Sequence, residues 1–209
     1  MASGAARDTS GTTASAVVFV DAEYGFLGGR RRFAWTNDGG RTWRTRSHPD
    51  GTIVSLDAVD RRHVWALAQR RGDERVSLQR SVDGGRNWSE KPGLTFASIS
   101  MADVHDGWAV TGAGPSGFTS EPRLGGEGTL MRTATGGRTW SVVPISAQSV
   151  CAVSDSVAWA ASRTTVLRTL DDGRTWSFDR LYSPRFYFTG DIGCASASVA
   201  WDLALGDGV

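Results

Sequence analysis

This sequence predicts an all-β fold, a β-propeller of four-stranded antiparallel blades, and three observations carry that prediction. An eight-residue phrase occurs four times, as Thr36-Asn-Asp-Gly-Gly-Arg-Thr-Trp43, Ser81-Val-Asp-Gly-Gly-Arg-Asn-Trp88, Thr133-Ala-Thr-Gly-Gly-Arg-Thr-Trp140 and Thr169-Leu-Asp-Asp-Gly-Arg-Thr-Trp176, with Trp-to-Trp separations of 45, 52 and 36 residues. That period marks a repeat array. An apolar phrase recurs out of phase with it: Gly25-Phe26-Leu-Gly, Val64-Trp65-Ala-Leu, Gly107-Trp108-Ala-Val, Ala158-Trp159-Ala-Ala and Ala200-Trp201-Asp-Leu. Of the nine tryptophans only Trp35 falls outside both phrases. Finally, no window of comparable length has helical periodicity.

The first unit shows how the elements follow one another. Ala16-Val-Val-Phe-Val20 is a β-branched and aromatic run, Asp21-Ala-Glu-Tyr-Gly25 a turn, Phe26 to Gly29 a second strand and Arg32-Phe-Ala-Trp35 a third. Asp38-Gly-Gly turns the chain, and Thr42-Trp-Arg-Thr-Arg46 leaves as the fourth strand. The second unit repeats the order with Ile53 to Val59, Val64 to Gln69, Val76 to Arg80 and the run from Asn87. Four strands in about 45 residues is the size of one propeller blade. The blades are expected at about 16–50, 51–94, 95–146 and 147–187, with a partial fifth at 188–209 and a flexible leader at 1–15. From aromatic to box Trp the first and fourth units span 17 residues, which would put a fifth box near 218, beyond Val209. The expectation is therefore four full blades and half a fifth of a six- or seven-bladed parent, or a chain that self-associates through its open edges.

The eight-residue phrase resembles the Asp-box, or BNR repeat, of the form Ser/Thr-x-Asp-x-Gly-x-Thr-Trp. Such boxes occur in sialidases, sortilin-type receptors and photosystem II assembly factors of the YCF48 type. The texture of alternating Gly-Trp-Ala strands and Arg-Thr-x-Asp-Gly-Gly hairpins, as at Leu130-Met-Arg-Thr and Leu167-Arg-Thr-Leu-Asp-Asp-Gly, is most similar to the YCF48-like group. The resemblance implies a noncatalytic scaffold for a protein or another ligand. The alternative it leaves is an exo-sialidase or related glycoside hydrolase.

Turn chemistry accounts for the box without catalysis. Gly40, Gly85, Gly137 and Gly173 supply positive-φ positions, and Asp38, Asp83 and Asp171 accept bonds from turn N–H groups. Trp43, Trp88, Trp140 and Trp176 are expected to lie buried between blades. Thr135 stands where the third box should have its aspartate, so that turn lacks its best acceptor. The boxes lack the alternating oxygen ligands of a calcium loop, and His48, His63 and His105 are too scattered for zinc. No cofactor or metal is expected.

A net charge of +1 provides no field to recruit nucleic acid or membranes, and no apolar segment is long enough to span a bilayer. Lys91 is the only lysine beside 22 arginines, a bias that GC-rich coding explains as well as anion recognition does. The dense cluster Arg30-Arg31-Arg32 reads as an exposed strand edge or loop. Cys151 and Cys194 occupy nearly equivalent places on consecutive inner strands and are expected as buried free thiols. Pairing would require Cα atoms within about 7 Å. The polar leader is of the kind that follows a removed export signal, so an extracytoplasmic location is favoured over a cytoplasmic one.

A sialidase of this repeat class would carry an Arg-Ile-Pro segment, three converging arginines, a Tyr-Glu nucleophile pair and an Asp acid. There is no Arg-Ile-Pro, and Tyr24, Tyr182 and Tyr187 are the only tyrosines, with Arg185-Phe-Tyr187 a poor match. Glu23, Glu74, Glu90, Glu121 and Glu127 all fall in apparent turns or loops, and nothing resembles Gly-x-Ser-x-Gly. Strand order places the one large insertion, 113–128, on the face opposite the boxes. Its bulky or adhesive residues are Phe118, Arg123 and Leu124, and it reads either as a binding loop or as a tolerated Gly/Pro-rich insertion.

Overall fold

The computed structural model describes residues 14–70, 72, 75–91, 93–112, 127–162, 165–180, 186–188, 192–201 and 204–206. Every regular element among them is a strand. The first sheet contains β1 (Ala14–Phe19), β2 (Gly25–Thr36), β3 (Arg44–Ala58), β4 (Val64–Gln69), β5 (Val76–Ser81) and β6 (Ser89–Lys91) in chain order. A second is built from β7 (Phe96–Met101), β8 (Gly107–Thr111), β9 (Gly128–Thr133) and β10 (Ser141–Ala147). A third is built from β11 (Ser149–Ala152), β12 (Ala158–Ala161), β13 (Thr165–Thr169) and β14 (Ser177–Arg180). Two pairs follow, β15 (Phe186–Phe188) with β18 (Ala204–Gly206) and β16 (Gly193–Ser196) with β17 (Val199–Trp201).

The first sheet is two blades joined. Phe26 stacks on Phe33 at 5.3 Å and Tyr24 on Trp35 at 5.8 Å. A straight strand would hold residues seven apart at about 23 Å, so β2 folds back and supplies the second and third strands of blade one. The beginning of β3 pairs with β2 and its end, Thr52 to Ala58, pairs with β4. It therefore closes one blade and opens the next. β1 begins at Ala14, and the Ser15 hydroxyl donates to the Ile53 carbonyl. The expected leader thus overlaps the first strand by two residues.

Apolar packing lies between blades. Successive side chains of a strand point to opposite faces, and β4 is buried on both. Val64 and Ala66 join Phe26, Phe33 and Ile53 of blade one and its junction. Trp65 and Leu67 join Phe96, Ile99 and Met101 of blade three. The same division recurs one blade on, where Ala109 packs back toward Trp65 while Trp108 and Val110 meet Val150, Ala158 and Ala160. Blades two and three thus each present a bulky ring to the following blade and an alanine to the preceding one.

This division corrects the expectation for the tryptophans. Trp65 and Trp108 of the second strands are fully buried, at 0% and 1% exposure, whereas the four box rings are half-buried. The box rings sit at the rim because their turns leave the sheet. Trp88 and Trp176 lean on the preceding blade, meeting Phe33 and Trp108 at 5.2 and 5.6 Å, while Trp140 meets Phe96 of its own blade at 5.6 Å.

Neighbouring inner strands are clasped by side chains. Counting from the residue that pairs with the second-strand aromatic, the equivalent positions are Asp57, Ser100 and Cys151. Asp57 accepts the Met101 N–H, the Ser100 hydroxyl accepts the Ala152 N–H at 3.0 Å, and Cys151 is disulfide-bonded to Cys194 with Cα atoms 5.9 Å apart. All three reach the same place on the next blade. The cysteines are therefore paired rather than free, because the slot that elsewhere holds a hydrogen bond brings both sulfurs together.

Desolvation pushes the Asp57 carboxyl up to about 6, against an ordinary 3.8, despite the Met101 and Ala58 N–H groups. The folded state then holds a proton that the unfolded chain has released, so Asp57 stabilises the fold below about pH 4, and that contribution is lost as pH rises through 6. Asp57→Asn keeps an acceptor for Met101. It is expected to match the native protein near pH 4 and to exceed it by roughly 1–2 kcal/mol at pH 8, since solvent reaching the part-buried side chain screens some of the cost of its charge. Urea unfolding at the two pH values checks this, and a difference independent of pH would contradict it.

Candidate functional site

The box turns are closed by their own polar side chains. In the first, Asp38 Oδ1 accepts the Thr36 hydroxyl and the Thr42 N–H, both at 2.8 Å, while Oδ2 accepts the Thr42 hydroxyl at 2.6 Å. The Thr36 hydroxyl also takes the Gly40 N–H at 3.0 Å. The second and fourth copies repeat this around Asp83 and Asp171, with the Asn87 amide replacing the threonine hydroxyl at 2.7 Å. These bonds favour the ionised carboxylates. The Thr42 hydroxyl and N–H hold Asp38 at about 2, and Thr175 likewise lowers Asp171. Asp83 is opposed by desolvation yet still lowered to about 2, chiefly by Asn87.

The third box works without the carboxylate. Thr135 Oγ1 accepts the Thr139 N–H at 2.9 Å and lies 2.8 Å from the Thr139 hydroxyl. One oxygen thus does what two do elsewhere. Thr135→Asp separates the two roles, and is expected to raise the thermal midpoint by roughly 1–3 °C, the equivalent of part of one hydrogen bond. A fall in the midpoint would show that this turn has no room for a second oxygen.

Each box is tied to the first turn of its own blade. The N–H groups of Gly39, Gly84, Gly136 and Asp172 donate to the carbonyls of Glu23, Arg62, His105 and Ser156 at 2.7–3.0 Å. Asp172 is the described non-glycine residue with positive φ, at 65°, in the position the other boxes give to glycine. It pairs with Arg132 of the preceding blade, which also meets Asp106 at 3.0 Å. The first turns have caps of their own: Asp21, Asp60 and Asp103 each accept two backbone N–H groups through Oδ1, and Ser154 does so through its hydroxyl. This second repeat was not among the features expected from the sequence. Its signal is an Asp or Ser five residues before every second-strand aromatic, from Asp21 to Ser196.

These bonds put the first turns and the boxes on one face. Gly112 lies at the other end of its blade, where its N–H donates to the Thr95 carbonyl in the link between blades at 2.7 Å. Phe118, Arg123 and Leu124 lie outside the described residues. So do Tyr182 and Arg185, while Tyr187 falls on β15. Among the described residues, no three His, Cys, Asp or Glu side chains gather as metal ligands, and no helix is long and apolar enough to cross a membrane.

No protein-family model matches the chain, and no curated protein sequence is significantly similar to it. Solved structures do match. YCF48 bound to a D1 peptide superposes with a TM-score of 0.54 at 18% identity, over 93% of this chain and 67% of that one. The GH74 enzyme of Niastella koreensis gives 0.56 at 16% identity, over 77% and 28% of the two chains. The GH74 xyloglucanase of Xanthomonas campestris gives 0.54 at 15%, over 90% and 43%. Likeness at this level establishes the fold, a YCF48-like β-propeller with four-stranded blades. The chain spans less than half the length of either hydrolase.

Proposed function

We propose that this chain is a noncatalytic propeller scaffold that binds a protein segment or another ligand through the face carrying the 113–128 insertion. The observation that carries this reading is what nine of the described carboxylates do. Asp38, Asp83 and Asp171 are spent inside the boxes, and Asp60 and Asp103 cap first turns. Asp21 both caps its turn and pairs with Arg61, Asp106 and Asp172 pair with Arg132, and Glu90 pairs with Arg70. Glycoside hydrolysis needs two carboxyl groups facing a substrate across roughly 5–10 Å, whereas these acids stabilise turns and blade contacts. The YCF48 propeller is solved with a D1 peptide bound, which supports a polypeptide ligand for a scaffold of this shape.

Capture of proteins from the native host on the immobilised chain, with and without residues 113–128, tests the reading. Partners retained by the intact chain and lost on deletion are expected. Identical partners from both would remove the insertion face from the proposal.

A further inference from the structure

We propose that the cleft between the first two blades on the box face binds a compact dianionic oxyanion, phosphate or a phosphate monoester. The cleft encloses about 230 Å³. Blade one contributes Tyr24, Trp35 and Arg46 to its walls, and blade two contributes Arg61, Arg62, Arg86 and Asp83. Arg46 lies over the Trp35 ring at 5.9 Å and Arg61 over Tyr24 at 5.0 Å. A guanidinium laid on a ring keeps its N–H edge available while one face is desolvated. Arg46 Nη1 is buried and meets no hydrogen-bond partner.

The charges do not cancel. Asp83 turns both oxygens into its own box, and Asp21 Oδ2 pairs with Arg61 at 2.9 Å. Arg62 and Arg86 donate to the carbonyls of Val82 and Asp83, contacts that leave their charge intact. With Arg44 over Trp35 and Glu23 close enough to act on Arg61, five guanidiniums stand against three carboxylates and leave two positive charges, which a dianion balances and a single carboxylate does not. The guanidiniums arrive from a strand, a first turn and a box turn, directions that suit a tetrahedral group with several acceptor oxygens better than a planar one. A sugar ring finds no open platform, since Arg44 and Arg46 lie over Trp35, Arg61 lies over Tyr24, and the two rings stack on each other. The volume suits a phosphate with a few waters and is below that of a drug-sized site.

The repeat supplies an internal control. At the next junction the positions of Trp35, Arg46, Arg61 and Arg62 hold Arg80, Lys91, Val104 and His105, and at the third they hold Arg132, Val143, Asp155 and Ser156. There Arg132 is neutralised by Asp106 and Asp172. The blade frame therefore does not require this concentration of charge.

Isothermal titration with inorganic phosphate, phenyl phosphate and acetate at constant ionic strength tests the proposal. Saturable one-to-one binding of phosphate or phenyl phosphate is expected, at least tenfold tighter than acetate. Tighter binding of the free ion or of the ester identifies which source the site takes. Arg46→Gln and Arg62→Gln are each expected to weaken binding at least tenfold with an unchanged circular-dichroism spectrum, while Arg174→Gln, in the fourth box, leaves it unaltered. No saturable phosphate binding, equal affinity for acetate, or undiminished binding in both cleft variants would overturn the site without touching the scaffold reading.

Discussion

Trp108→Ala is expected to lower the unfolding free energy by about 3–5 kcal/mol, the range for removing a fully buried aromatic side chain and leaving a cavity. Trp108 is 1% exposed and centres the packing between blades three and four. The Trp176 ring meets it edge-on at 5.6 Å, the Arg132 guanidinium lies 5.7 Å over it, and a methyl group on Gly173 would stand 2.6 Å from it. With so many groups placed around the ring, the site cannot collapse cheaply. Trp43 offers the contrast within the same chain. It is half-buried, and its ring contact is Phe19, itself 45% exposed. Trp43→Ala is therefore expected to cost only about 1–2 kcal/mol. Equilibrium urea unfolding of the two variants checks the order, and equal losses would contradict the division between core and rim rings.

Removing the disulfide is expected to be the next largest loss. Cys151 and Cys194 close a loop with a sequence separation of 43, worth about 4 kcal/mol in the chain-entropy account. The last hairpin, β16 with β17, has few other attachments to blade four among the described residues. Trp159 donates its indole N–H to Ser196 at 3.0 Å, Arg168 donates to Ala197 at 2.9 Å, and the Ile192 N–H reaches the Ser149 hydroxyl at 3.2 Å. In the Cys151→Ser, Cys194→Ser double variant, amide hydrogen exchange at 193–201 should accelerate far more than exchange in β7 to β9. Uniform acceleration would mean that the disulfide stabilises the whole array, and no change would mean that hydrogen bonds alone hold the hairpin.

The strand order and blade size were legible because the same turn chemistry recurs with the same aromatic phrase. Which of two aromatic repeats is buried was not, since that depends on how blades stack. The alanine after Trp65, Trp108 and Trp159 was the available clue, as it makes room for the ring of the preceding blade. The cysteine pairing needed register: Cys151 and Cys194 are offset by one residue in their strands, and only the clasps of Asp57 and Ser100 show that this offset joins neighbouring blades. The basic cleft was hidden because its residues come from two blades between Tyr24 and Arg86. Its sequence mark is Trp35, the one tryptophan outside both phrases, standing where the next three blades place an arginine over a tryptophan.

The claim that this propeller binds and does not hydrolyse is tested most directly by turnover on a panel of fluorogenic sialosides and glucosides across pH 4–8. No release above the uncatalysed rate is expected at any pH in that range. Robust turnover abolished by Tyr187→Phe, in a variant that melts like the native protein, would contradict it.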